Sequence, residues 1–389
     1  MDISMSTDEI SFRDKVRATI AEKLEPDWRE VCELASRSVP AVANAWQKVM
    51  ATEGWLTANW PAEYGGHPWT PLQFYILKSE LARARAPAYP HLEFGMVAPL
   101  IYTFGTKAQK DYLLPRLLSG EDTWCQGFSE PGSGSDLASL KTIARREGDS
   151  YLVNGQKIWT SFAHRATQMF ALFRTDPNAA RPQAGISMFV LPMSSPGITV
   201  RPIIGINGGH HLNEVFFDDV RIPATSLLGE ENKGWDCARF LLIHERSGIA
   251  EVQGTRGVLT DVAAIVDMDY LSHLAEPLAA LLARLEALET FELQFMEMAS
   301  RNVAPPHFAS MLKVIGSELR QEALALGQRA LGPLAEIRSG EGAPQHPSGR
   351  GRHMAGDALF YRAASIYGGT NEVQRNIIAK TLLRDGAGV

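Results

Sequence analysis

The sequence predicts an α+β multidomain protein in which helices bracket a central block of strands. Three observations carry that expectation. Residues 8–121 read as helices with loop punctuation. From about 122 to 230 the chain turns into short runs rich in β-formers. After Gly234 the helical spacing returns. The expected domains are 1–121 (helical), 122–231 (β) and 232–389 (a helical bundle).

In the first block, Thr70-Pro71 is an N-cap followed by a first-turn proline, opening PLQFYILKSELARA. Thr106 caps KAQKDYLLPRLLSG, where Leu113, Leu117 and Leu118 make an apolar stripe and Gly120 can end the helix. Pro115 is expected to kink or split it. In the second block, YLVNGQKIW carries Asn154-Gly155 between apolar flanks and predicts a hairpin turn. MFALF, ISMFVL, ITVRPI and EVFFDDVRI are separated by Asp, Asn, Pro and Gly, and read as strands. In the third block a helix is expected over 234–253, with others across roughly 256–333. The most aliphatic stretch, 271–289, is broken by Glu276, Pro277, Arg284 and Glu286, so it reads as a bundle helix and not a membrane span. IRSGEGAPQHPSGRGRHMAG (337–356) reads as a long loop. Thr370 then caps a last helix, in which Val373, Ile377 and Ile378 recur at helical spacing.

Composition narrows the function. With 45% hydrophobic and 21% charged residues the chain is an ordinary globular protein. A net charge of −6 argues against a nucleic-acid surface but permits a local basic pocket for a phosphorylated ligand. Cys32, Cys125 and Cys237 are too far apart for a metal knuckle and odd in number, which suggests a reducing, cytoplasmic setting. The acidic N-terminus lacks a signal-peptide core. His164, His210 and His211 have no metal-ligand spacing and read as loop residues, so no metal is expected.

Three stretches carry possible chemistry. In SIYGGTNEVQRNIIAK, two glycines precede a capped helix start, where free N–H groups and the positive dipole end attract anions. A plain turn between packed helices is the alternative. WCQGFSEPGSGSD (124–136) offers three serines and three glycines as donors for a phosphate, without P-loop or GxGxxG order; a flexible loop would look the same. In the helix after Gly234, Ala238, Leu242, Glu245, Ile249 and Val252 fall on one face. A carboxylate in an apolar stripe has its pKa raised by burial, as a general base requires; pairing with Arg246 or His244 is the other reading. Trp159, at a strand end, reads as core unless a flat cofactor lies against it.

Taken in order, GWLTANWPAEYGG, GTKAQKDYLLPRLLSGE, WCQGFSEPGSGSD, VNGQKIWTS, NEVFFDDVRIP, GWDCARFLLIHER and YGGTNEVQRNIIAK resemble the acyl-CoA dehydrogenase family over nearly the whole chain. HERSGIA with YGGTNEVQRNIIAK looks most like the group containing the pimeloyl-CoA dehydrogenase large subunits. The resemblance implies an N-terminal helical domain, a central β domain of barrel-like sheets and a C-terminal four-helix bundle, with FAD between the last two. It implies flavin contacts from Gln126, Phe128, Ser129, Gly134 and Ser135, with Ser135 also toward substrate or phosphate. Trp159, Thr160 and Ser161 would lie against the isoalloxazine, and Gly369, Thr370, Asn371 and Glu372 would bind FAD at the helix start. Arg246 and Lys380 match substrate-side positions. Many members carry the catalytic glutamate at the position of Gly368; a minority place it on the helix before an arginine, as Glu245-Arg246 does here. Resemblance and stripe choose the same base, and the Gly368 N–H keeps the oxyanion contact.

The implied reaction is α,β-dehydrogenation of an acyl-CoA to a trans-2-enoyl-CoA, Glu245 taking the α-proton and flavin N5 the hydride. An electron-transferring flavoprotein would accept the electrons. A homo- or hetero-oligomer, dimer or tetramer, is expected, with neither nucleic acid nor membrane as partner. The family's Arg-x-x-Phe-Gly segment and the Gly-rich motif upstream of 357 are not found. A flavin-binding, non-catalytic or half-catalytic subunit of a mixed oligomer is therefore the alternative.

Overall fold

The computed structural model describes residues 5–28, 40–58, 60–246, 250–266, 269–301, 303–336 and 353–386. Helices α1 (Thr7–Lys23), α2 (Pro40–Thr52) and α3 (Pro71–Arg83) lead through a π-helical turn (Leu92–Val97) into α4 (Ala98–Phe104) and α5 (Lys107–Ser119). Strands β1 (Trp124–Gly127), β2 (Ile143–Glu147), β3 (Ser150–Lys157), β4 (Gln168–Arg174), β5 (Ile186–Pro192), β6 (Ile198–Ile204), β7 (His210–Pro223) and β8 (Leu227–Leu228) follow. Then come α6 (Gly234–Arg246), α7 (Val252–Val266), α8 (Ala275–Ser300), α9 (Pro306–Leu331), α10 (Met354–Phe360) and α11 (Asn371–Gly386). The helix–strand–helix order expected from the sequence is the observed order. The chain forms two compact units, Met1–Tyr89 with Arg246–Val389, and Pro90–Glu245.

The first unit is helical. Its core joins α7, α8, α9 and α10 through residues such as Leu259, Val262, Leu285, Leu319, Ala323 and Met354. α1 is tied to α3 by a buried carboxylate: Glu80 accepts from Arg17 at 2.8 and 2.9 Å and from Arg83 at 2.8 Å. The Thr70 cap is present and extends to a capping box, since Thr70 Oγ1 accepts from the Gln73 N–H and the Thr70 N–H donates to Gln73 Oε1.

The second unit is built on one sheet in the order β6-β7-β3-β2-β4-β5-β8, with β1 paired parallel to β4. β4 and β5 are buried along nearly their whole length, which explains why MFALF and ISMFVL are unbroken apolar runs rather than alternating ones. β3 alternates, sending Tyr151, Val153 and Lys157 inward.

Several expectations are corrected. Asn154-Gly155 is not a hairpin turn; it lies within β3, and the β2–β3 turn falls at Gly148-Asp149. The pair forms a bulge against β7, where the register shifts between Val153 and Gly155. Asn154 exchanges side-chain–backbone and side-chain–side-chain bonds with Asp219 at 3.0 and 2.9 Å, so its turn-forming amide is spent across strands. α5 is not split at Pro115: it runs from Lys107 to Ser119, with the proline removing one local donor. The helix expected over 234–253 is two helices. α6 ends at Arg246, and Val252 opens α7 directly after Glu251, whose backbone is left-handed at φ 45°. Of the five-residue stripe, Ala238, Leu242 and Glu245 therefore belong to α6 and Val252 to α7, while Ile249 lies outside the described residues. The long loop expected over 337–356 lies outside the described residues as far as 352, and Met354–Gly356 are already helical.

Gly155 has φ 144°, and a Cβ there would come within 2.8 Å of Thr142 atoms, backbone included. Gly155→Ala is expected to destabilise the protein by about 1–3 kcal/mol, because neither strand can yield without breaking the bulge. Urea unfolding followed by far-UV circular dichroism measures it, and an unchanged midpoint would show that the bulge can open.

Candidate functional site

The candidate residues fall into two groups, one in each unit. In the second unit the group starts at β1. Gln126 is half-buried and paired with Phe170, while Phe128 is turned inward, its ring edge-on to Phe170 with centroids 5.7 Å apart. Beyond it the chain makes a tight turn in which Glu130 and Ser133 exchange backbone bonds at 2.9 and 3.0 Å. This turn is anchored by charge. The carboxylate of Glu130 accepts from Lys157 Nζ at 2.8 Å and from the backbone N–H groups of Lys141 and Thr142 at 2.6 and 2.9 Å. Lys157, on β3, is fully buried and donates a second bond to the Phe128 carbonyl at 3.1 Å.

Burial alone would raise the Glu130 carboxyl, but the Lys157 charge and the hydrogen bonds outweigh it and hold its pKa below the ordinary value. Burial pushes the Lys157 ammonium down to about 8, against the opposing pull of Glu130. Fixed in this way, the loop leaves Gly134 and Ser135 exposed and Ser129 half-buried. The Ser129 carbonyl accepts from the Ile158 N–H at 2.9 Å, which sets the loop beside the end of β3.

One residue beyond β3 comes Trp159. Its side chain is among the exposed large apolar groups, at 56% exposure, and its backbone is left-handed at φ 60°. Both are costly for an aromatic residue. Thr160 is buried, and its hydroxyl has no partner among the described residues; Ser161 is exposed. An exposed indole next to hydroxyl and N–H donors fits a flat cofactor with polar edges, and FAD is such a group.

In the first unit the group is the start of α11. Gly368 and Gly369 are left-handed, at φ 63° and 82°. A Cβ on Gly369 would lie 2.5 Å from Gln374 Nε2, and that nitrogen donates to the Gly368 carbonyl at 3.2 Å. The turn is thus closed from within the helix, and Ser310 on α9 holds Gln374 in place at 2.7 Å. Thr370 is the N-cap, its hydroxyl accepting from the Val373 N–H at 3.1 Å. The Gly368 N–H has no acceptor among the described residues.

Asn371 is buried: its Oδ1 accepts from Lys313 at 2.7 Å and its Nδ2 donates to Ser317 at 3.1 Å. Its side chain therefore fixes the helix start, while Glu372 and Lys380 are exposed. The backbones of Glu245 and Arg246 form the last turn of α6, and their side chains lie outside the described residues.

The sequence reading missed the anchors: Glu130, Lys157, Asn213, Lys313 and Gln374. Lys157 had a signal, since alternation along β3 sends it inward. His210 and His211 are strand residues at the start of β7, not loop residues.

Three family models match the chain in order: the acyl-CoA dehydrogenase N-terminal domain over residues 6–121, the middle domain over 125–220 and the C-terminal domain over 232–383. The acyl-CoA dehydrogenase IpdE1 of Mycobacterium tuberculosis is 34% identical over 383 residues, covering 96% of each chain. Among solved structures, a "Tcur3481-Tcur3483 steroid ACAD" is similar at a TM-score of 0.85 and 28% identity, covering 98% of this chain and 99% of its own. The ChsE4-ChsE5 complex from M. tuberculosis is similar at 0.81 and 33% identity, with 98% and 99% covered.

Glu130→Gln removes the negative partner of a fully buried ammonium and is expected to cost about 3–5 kcal/mol. Because the Glu130 pKa is held below its unfolded value of about 4.5, the pair's contribution is complete at neutral pH. It is lost as pH falls below that value through the folded pKa. Urea titrations at pH 7 and pH 3.5 should show the variant's deficit shrinking at the lower pH; an equal deficit at both would contradict the assignment.

Proposed function

Because the chain belongs to the acyl-CoA dehydrogenase family, we propose that it is an FAD-dependent enzyme that converts an acyl-CoA thioester to the trans-2-enoyl-CoA. The observation that carries the cofactor reading is Trp159, held exposed in a left-handed conformation at the end of β3 beside the serine-rich loop. Ser129, Ser135, Thr160 and Ser161 would contact the flavin, and the N–H groups at the Gly369–Glu372 helix start suit negative charge. FAD, when bound, supplies the acceptor for the β-hydrogen and its electron pair.

The residues of the chain do the rest. The Glu245 carboxylate takes the α-proton, and the pair released from that C–H bond forms the new double bond as the β-hydrogen departs. Negative charge developing on the thioester oxygen is met by the Gly368 N–H, which glycine retains although it has no side chain. Arg246 and Lys380 stand on the substrate side. An electron-transferring flavoprotein is the proposed acceptor, and a mixed oligomer is supported by the two-chain ChsE4-ChsE5 relative.

The substrate class follows from Gly368. Where a glutamate side chain would stand beside the reacting carbons, this chain leaves room for a bulky acyl group, in keeping with the relative described as a steroid enzyme. Bulky, branched or long acyl-CoA esters are expected to bleach the flavin at least several-fold faster than butyryl-CoA in anaerobic stopped flow. The reverse order would sink this substrate assignment.

Glu245→Gln preserves shape but cannot accept the proton, so anaerobic flavin bleaching by a good substrate should slow by a factor on the order of 10² or more. FAD occupancy, read from the visible spectrum, should be retained. Bleaching at the normal rate would place the base elsewhere. A wild-type protein that binds FAD but bleaches with no ester would favour the non-catalytic subunit, the reading that Gly368 and the two-chain relative also support.

A further inference from the structure

Trp159 and Phe162 both have left-handed backbones, at φ 60° and 54°, and neither is glycine. Each costs about 1–2 kcal/mol, so the surroundings must hold the segment in place. They do so by pairing it with the start of β7. The Thr160 N–H donates to the Asn213 carbonyl at 3.0 Å, and the Phe162 N–H donates to the His211 carbonyl at 2.8 Å. Asn213 is fully buried, and its Nδ2 donates to the Thr160 carbonyl at 3.0 Å.

That last bond determines the next one. A carbonyl only accepts, so the amide nitrogen of Asn213 must face Thr160 and its oxygen must face the other way. The oxygen lies 2.7 Å from His210 Nε2, which must therefore carry a proton. The plane of the His210 ring is held in turn by His164, stacked on it at 3.7 Å with 19° between the planes. Burial above all, with His210 and Arg165, pushes the His164 pKa down, against a hydrogen bond to Asn213 that raises it.

We propose that His210 is a positioning residue for the cofactor platform: through Asn213 it holds the Thr160 carbonyl, and so the turn that presents Trp159. The chain of contacts runs from the His164–His210 stack to the Asn213 amide and then to both backbone groups of Thr160. The flavin part of this proposal rests on the reading of Trp159 given above; the hydrogen-bonded clamp does not.

Two substitutions separate the bond from the ring. His210→Phe keeps an aromatic for the stack and loses the donor; His210→Gln keeps a donor and loses the ring. His164, His210 and Asn213 border a cavity of about 540 Å³, so both replacements have room. Deuterium exchange at the 158–163 amides reads the clamp without cofactor, and equilibrium dialysis of the FAD-stripped protein against FAD reads the platform.

His210→Phe is expected to speed exchange at Thr160 and Phe162 and to weaken FAD binding by about ten-fold, the scale of one lost hydrogen bond to a buried group. His210→Gln should restore both to within about three-fold. Unchanged exchange in His210→Phe would overturn the clamp. Faster exchange with unchanged FAD affinity would overturn the link to the platform. Faster exchange in a protein whose wild type binds no FAD would uphold the clamp and overturn the flavin reading instead.

Discussion

A lysine ammonium taken out of water must be met by oxygen, and this requirement shapes both candidate segments. Lys157 in the β unit and Lys313 in the helical unit are each fully buried. Lys157 spends its donors on the Glu130 carboxylate and the Phe128 carbonyl, and so pins the serine- and glycine-rich loop to the sheet. Lys313 donates to Asn371, and so pins the first residue of α11 to α9. In both places a costly buried charge is used to place backbone. Gly134 and Ser135 in the first segment and Glu372 in the second remain exposed.

Local rules are broken where function is proposed. Trp159 combines an exposed indole with a left-handed backbone, and the Gly368-Gly369 pair repeats the left-handed conformation immediately before α11. Elsewhere the chain follows ordinary preferences: capping boxes at α1, α3 and α5, and apolar strands at the centre of the sheet. Departures of this kind persist only when neighbouring structure over-determines them. Asn213 and Gln374 are the residues that do so here, each bonding to a backbone carbonyl of the strained segment.

A glycine at 368 and a glutamate at 245 are chemically consistent with one another. Proton abstraction needs a carboxylate on some element within reach of the α-carbon, whereas charge stabilisation at the thioester oxygen needs only a backbone N–H. Separating the two duties between a helix and a turn leaves the turn free of side chains. If the proposed assignment holds, the volume released would lie beside the reacting carbons and would link the position of the base to the size of the substrate.

The amino-acid sequence by itself determined the order of helical and strand blocks, the caps at Thr70, Thr106 and Thr370, and the family, because these rest on spacing between near neighbours and on ordered motifs. It also marked the two candidate segments through their glycine, serine and threonine content. Only the tertiary structure decided that Asn154-Gly155 is a bulge, that the helix after Gly234 stops before Glu251, and that Asn371 points into the bundle. The reason is physical in each case. Asn-Gly is compatible with a turn or a bulge until Asp219 arrives from β7, 65 residues away, to bond the asparagine. Asn371 could face ligand or core until Lys313, 58 residues earlier, claims its oxygen. Such partners are remote in the chain, and no local pattern records which of two satisfiable hydrogen bonds the fold will form.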